Sequence, residues 1–178
     1  MAAPYFISNT DFGVRPYRIM NLEESTDFDD FMEAKEDEVC KALFGWETWD
    51  VIKAALDDSG TPDPEIQGLV DGEDYTYLED DYHFYGMRQL LIPVIYSEWT
   101  KVSAWKRTNI GLGVNMKTDF TNVNPSYEIS STWNEFADKV GYSLSYKNTL
   151  WGYMKANEVY FDLWDEATIT WYLSLIHI

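Results

Sequence analysis

Cysteine and histidine are almost missing from this chain. Cys40 is the only cysteine, which excludes an intrachain disulfide and a cysteine-built zinc site. His83 and His177 are the only histidines. One flanks a turn and the other is penultimate, so no pair at helical metal-ligand spacing exists. Nothing in the residue order supports a Ser-His-Asp or Cys-His arrangement. No apolar run of about 18 residues is present, so no membrane-spanning helix is expected. The opening MAAPYFISNT has neither a basic start nor an apolar run, so it is not read as a secretory signal. Gly111-Leu112-Gly113 lacks the Lys-Ser/Thr of a phosphate loop and the third glycine of a dinucleotide fingerprint. No cofactor, metal or catalytic residue is assigned, and the chain is read as a non-enzyme.

Basic residues are scarce as well: 13 Lys and Arg face 31 Asp and Glu, for a net charge of −18. The imbalance sits in the first half. Residues 1–100 carry 6 basic and 23 acidic groups, a net of −17, and residues 101–178 carry 7 and 8, a net of −1. Surfaces that grip nucleic acid are basic because phosphates must be neutralised. The acidic half argues against tight binding of DNA or RNA, but not against a surface that DNA slides past. A solvated acidic face is the plainer reading. Asp71-Gly72-Glu73-Asp74 with Glu79, Asp80 and Asp81 lacks the ligand spacing of an EF-hand. The small basic patch Lys101, Lys106 and Arg107 fits contact with an acidic neighbour, or a favourable helix C-terminus.

What the chain has in excess is aromatic rings, 17% of all residues. Such rings are favoured where one face is buried and a polar edge stays wet, as at subunit interfaces. Residues 1–24 contain Pro4, Gly13 and Pro16 between apolar residues, which predicts an extended arm lying on this subunit or on a neighbour. Phe6, Ile7 and Phe12 are its expected partner contacts. Apolar periodicity predicts helices near 26–44, 46–57, 87–106 and 127–157. Gly45 separates the first two as a corner, and Pro93 is expected to kink the third. Gly141 and Gly152 are expected to bend or break the last. In the first helix Phe28, Phe31, Met32, Lys35, Val39, Ala42 and Leu43 form the stripe. Asp29, Asp30, Glu36 and Asp37 fall on the outer surface as candidate channel-facing acids. Tyr75–Leu78 and Tyr82–Phe84 predict a small hairpin around the turn Glu79-Asp80-Asp81. Residues 108–125 form a Gly- and Asn-rich loop or hairpin. With the residues before it, this loop supplies further contacts: Trp105, Ile110, Leu112 and Val114. The apolar end, with Trp171, Tyr172, Leu173 and Ile176, is expected to dock as a tail over 161–178. The whole reads as mainly α: a helical bundle over 25–160 with a kinked helix, a long C-terminal helix, a small β-hairpin and extended terminal arms.

Several segments, taken in order, resemble one family. Phe6-Ile7 with Pro16-Tyr17-Arg18-Ile19, Phe31-Met32-Glu33-Ala34-Lys35-Glu36-Asp37-Glu38 and Leu43-Phe44-Gly45-Trp46-Glu47 come first. Leu69-Val70-Asp71-Gly72 with Tyr75, and Tyr85-Gly86-Met87, follow. Thr108-Asn109-Ile110-Gly111-Leu112-Gly113-Val114, Trp133-Asn134-Glu135-Phe136 and Asn148-Thr149-Leu150-Trp151-Gly152-Tyr153 complete the set. Together they resemble the head-to-tail connector proteins in the necks of tailed phages of the Bacteroides and Flavobacterium group, including the crAss-like phages. The likeness covers most of residues 5–160 and does not extend past Asp165. It implies a helical, non-catalytic ring adaptor under the portal, forming rings of twelve copies around the DNA channel. Implied partners are other copies of the chain, the portal, other neck or tail proteins and, transiently, passing DNA, but no membrane. The implied location is the virion neck, after assembly in the host cytoplasm. A tail-completion or tail-terminator subunit, richer in strand, is the alternative; a small hydrolase is the third reading.

Overall fold

The computed structural model describes residues 6–13, 26–57, 66–108, 111–114, 125–141 and 147–157. Their architecture is a mainly α-helical bundle with a small antiparallel β-hairpin. A 3-10 turn, Asn9–Gly13, precedes α1 (Thr26–Phe44) and α2 (Trp46–Asp57). A short α3 (Gln67–Asp71) leads into the hairpin of β1 (Glu73–Tyr77) and β2 (Asp80–Phe84). Then come α4 (Met87–Ala104), a second strand pair β3 (Trp105–Thr108) and β4 (Gly111–Val114), α5 (Pro125–Val140) and α6 (Leu150–Ala156).

α1 forms on the row Phe28, Met32, Glu36 and Cys40, each four residues from the last, so all stack on one face. All four are buried, together with Val39, Leu43 and Phe44. Gly45 ends α1 with φ +77, a left-handed conformation that glycine adopts without strain. Its N–H donates to the Lys41 carbonyl and its own carbonyl accepts from Trp49, both at 3.0 Å. One residue thus closes one helix and opens the next. Trp49 pins the corner by donating its indole N–H to Asp37 at 2.8 Å.

β1 and β2 pair from Glu73↔Phe84 to Tyr77↔Asp80. The turn is therefore Leu78-Glu79, one residue ahead of the predicted acidic turn. Both residues have positive φ, 53° and 70°, as a type I′ hairpin turn requires. Neither is a residue that favours this region, and each costs on the order of 1 kcal/mol there. Replacing the pair by Asn-Gly is expected to stabilise the protein by about 1–2 kcal/mol. The urea midpoint should rise; an unchanged midpoint would show that the turn is not strained.

α4 runs through Pro93. Proline has no N–H, so the carbonyl of Gln89, four residues earlier, loses its helical partner. Lys139 of α5 donates to that carbonyl at 3.3 Å. The same Lys139 pairs with Glu135 at 2.8 Å. The helix-breaking residue and its compensation therefore lie on two helices that pack together.

The helix predicted over 127–157 is two helices. α5 begins on Pro125, where the missing N–H costs nothing, and ends at Val140. Gly141 follows with φ +106, and a Cβ there would lie 3.0 Å from that of Trp151. α6 starts afresh on Thr149, whose hydroxyl accepts the Gly152 N–H at 3.1 Å, an N-cap of the usual kind. Its residues Leu150–Met154 are all buried. Tyr153 stacks on Phe84 with centroids 4.8 Å apart, meets Tyr75 edge-on, and donates its hydroxyl to Glu73 at 2.7 Å. α4 also stops earlier than predicted, at Ala104, because Trp105–Thr108 pairs with Gly111–Val114.

Phe6, Ile7 and Phe12, predicted to bury surface on a neighbouring chain, lie in this chain's own core. Phe6 lies on Trp49 and Phe12 meets Phe28 edge-on. The segment is wound into a 3-10 turn at Asn9–Gly13 rather than extended. Apolar side chains this close to an open helix face gain more by covering it than by waiting for a partner.

Candidate assembly surfaces

α2 has two unlike faces. Thr48, Trp49, Ile52 and Leu56 point inward and are buried. Trp46, Glu47, Asp50, Val51 and Ala54 are exposed. Trp46 is 66% and Val51 58% exposed, high for residues that normally seek cover. The outer face of α2 is therefore apolar at two points and acidic between them. The apolar periodicity predicts a helix over 46–57 but passes over Trp46 and Val51. Their signal was simply that they fall off the inward face.

The acids of α1 do not share one surface. Asp30 is exposed and Asp29 is half-buried. Glu36 is fully buried and cannot face a channel. Its Oε1 accepts the Phe6 N–H at 2.6 Å, and its Oε2 is buried with no hydrogen-bond partner. Burial pushes its pKa up to about 8, against backbone hydrogen bonds from Phe6 and Ile7 and the attraction of Lys53. The signal for this residue was the four-residue row it shares with Met32 and Cys40; assigning Lys35 to the stripe hid it. Asp37 is committed to its own chain, accepting from Trp49, Lys41 and Lys53. Partial burial opposes its ionisation, but these donors outweigh it and hold the carboxyl at about 2.

Of the basic patch, Lys101 pairs with Glu98 one turn earlier and sits 5.2 Å from the Trp133 ring centre. Trp105, Lys106 and Arg107 lie on β3, and Leu112 and Val114 on β4. The two strands bring these predicted contacts into one hairpin. Ile110, Trp171, Tyr172, Leu173 and Ile176 lie outside the described residues, as does His177.

The acids around the first hairpin take protein partners. Asp71 lies 3.5 Å from Arg88, Glu73 accepts from Tyr153, and Asp81 accepts from Thr76 at 2.8 Å. His83 Nδ1 lies 2.7 Å from Asp74. Asp74, Thr76, Asp81 and His83, with Tyr75, Tyr82 and Asn148, line an open groove of about 620 Å³. Among the described lining residues the one aliphatic hydroxyl, on Thr76, is turned to Asp81 and not to His83, so they form no nucleophile–base pair. Among the described residues no group of three His, Cys, Asp or Glu could hold a metal ion. No described helix is long and apolar enough to cross a membrane. Cys40 is buried, and burial pushes its thiol pKa well up, so it stays a neutral packing group.

No protein-family model, curated protein or solved structure matches the chain.

Proposed function

We propose that this chain is a non-catalytic structural subunit of a tailed-phage neck. In this reading it forms a ring adaptor between portal and tail that surrounds the DNA channel. The observation that carries the reading is how the resembling segments meet. Phe6-Ile7 joins Phe31–Glu38 through the Phe6 N–H and Glu36. Leu69–Gly72 meets Tyr85–Met87 backbone to backbone at Gly72 and Gly86. Asn148–Tyr153 closes on Tyr75, whose hydroxyl accepts the Thr149 N–H at 3.4 Å. Segments that resemble one family are thus the joints of one helical body, which supports the likeness as a whole rather than as scattered matches.

The predominance of helix favours an adaptor over a strand-rich tail-completion or tail-terminator subunit. The outer face of α2, with Trp46 and Val51, is the surface best suited to a neighbouring copy, because large rings anchor protein interfaces. Asp29 and Asp30 remain the acids suited to a channel wall. Twelve copies, the portal and other neck proteins are the partners this reading carries from the resemblance, and the virion neck is the place.

Native mass measurement of the purified chain should give ring-sized multiples. The double substitution Trp46→Glu, Val51→Asp should leave the helical spectrum intact and reduce the mass to that of one chain. A wild-type chain that stays single at every concentration, and that a virion reconstruction does not place in the neck, would overturn the proposal.

A further inference from the structure

Glu36 is the only fully buried acid among the described residues, and it lies beneath the segment 6–13. That segment is held by three buried apolar side chains, Phe6, Ile7 and Phe12, and by few polar contacts to the helices. Glu36 of α1 holds the Phe6 N–H at 2.6 Å. Arg88 of α4 donates Nε to the Phe6 carbonyl at 3.2 Å. Phe6 lies on Trp49, Phe12 meets Phe28, and Ile7 is buried in the same core. Within the segment, Asp11 accepts the Ser8 N–H at 2.8 Å and donates its own N–H to the Ser8 carbonyl at 3.0 Å.

We propose that residues 6–13 are a latch: Glu36 keeps it shut while its carboxyl is protonated and opens it when the proton leaves. A neutral carboxyl accepts the Phe6 N–H through one oxygen and tolerates apolar cover. An ionised one leaves Oε2 as a buried charge with no hydrogen bond, which is costly unless water reaches it. Lifting residues 6–13 admits that water and leaves every helix in place. Unfolding α1 would relieve the same charge only by losing the whole bundle.

The surrounding charges set the working range. Lys53 of α2 favours the ionised form, while Asp11 on the latch opposes it. Asp37 and Cys40 of α1 also face this region, and Arg88 reaches it from α4. Burial dominates, raising the carboxyl from 4.5 to about 8. The closed form therefore binds the proton more tightly than the open form. Closure is fully favoured below pH 4.5, weakens through the interval, and is weakest above pH 8. Between those limits the closed-to-open ratio falls by up to about tenfold per pH unit. The mechanism operates in a lone chain and does not depend on the ring.

The test is amide hydrogen exchange on the full chain from pH 5 to 9.5, corrected for intrinsic rates. Protection of the Phe6, Ser8 and Asp11 amides should fall up to about tenfold per unit and then level near pH 8. Amides of Leu91 and Val94 in α4 should not follow. Glu36→Gln, which carries no charge, should keep the three amides protected across the range. Lys53→Met should move the levelling point to higher pH. A flat wild-type profile would defeat the latch, and this holds whether or not either variant folds. So would loss of α4 protection with the same slope, which would mark global unfolding.

Discussion

Replacing Gly86 by alanine is expected to cost the protein about 2–5 kcal/mol, as an additional left-handed penalty of about 1–2 and overpacking of about 1–3. A Cβ on Gly86 would lie 2.6 Å from the Val70 carbonyl oxygen, 2.7 Å from the Asp71 carbonyl carbon and 2.7 Å from the Gly72 nitrogen. All three are backbone atoms and cannot swing aside. Gly86 also has φ +85. Gly72 is its mirror across the contact: a Cβ there would clash with the Phe84 carbonyl oxygen. Gly45→Ala provides the control. Its φ is +77, but nothing lies within 4 Å of the added carbon. It should cost only the backbone part, about 1–2 kcal/mol. Urea unfolding of the two variants separates clash from torsion, and equal losses would refute the close approach of the two glycines.

Trp49→Ala should cost about 3–5 kcal/mol, the usual range for deleting a buried large ring. Trp49 is completely buried and joins three elements: its own α2, α1 through Asp37, and the segment 6–13 through Phe6. Trp49→Phe keeps a ring beneath Phe6 and loses the indole N–H. Asp37 would still have Lys41 and Lys53, so no carboxylate is stranded, and a loss nearer 1–2 kcal/mol is expected. Thermal unfolding of both variants tests this ranking. If phenylalanine were as damaging as alanine, the hydrogen bond rather than the packing would dominate.

Helix periodicity made most of the bundle legible. Phe28, Met32, Val39 and Leu43 repeat at helical spacing, Gly45 supplies the stop, and α1 and α2 follow. Legibility failed where one residue answers to a partner distant in sequence. Glu36 looks like any surface acid until Phe6, thirty positions earlier, places an N–H against it. The break at Gly141 was expected, but not the packing of Trp151 and Thr149 against it, and Gly152, the other expected break, lies buried inside α6. The turn Leu78-Glu79 was misplaced because neither residue is a turn former; the pairing of Tyr75 with Tyr82 fixes the register instead. Of the candidate site, the hairpin bearing Trp105–Arg107 was foreseen in part. The exposed Trp46 and Val51 were not, because an apolar residue off the main stripe reads as noise without its neighbours.

The joint between α6 and the first hairpin bears on how the chain acquires its structure. Tyr153 reaches Glu73 across 80 positions, whereas β1 and β2 pair across a two-residue turn. During synthesis the hairpin can form as soon as it emerges, but the rings of Tyr75 and Phe84 must wait about 70 residues for their cover. At a translation speed of roughly 5–20 residues per second, that interval lasts seconds, during which an aromatic strand pair stands open. The charged residues of the hairpin, Asp74, Asp80 and Asp81, are exposed on its strands, and their mutual repulsion keeps nascent hairpins from pairing with one another before α6 arrives.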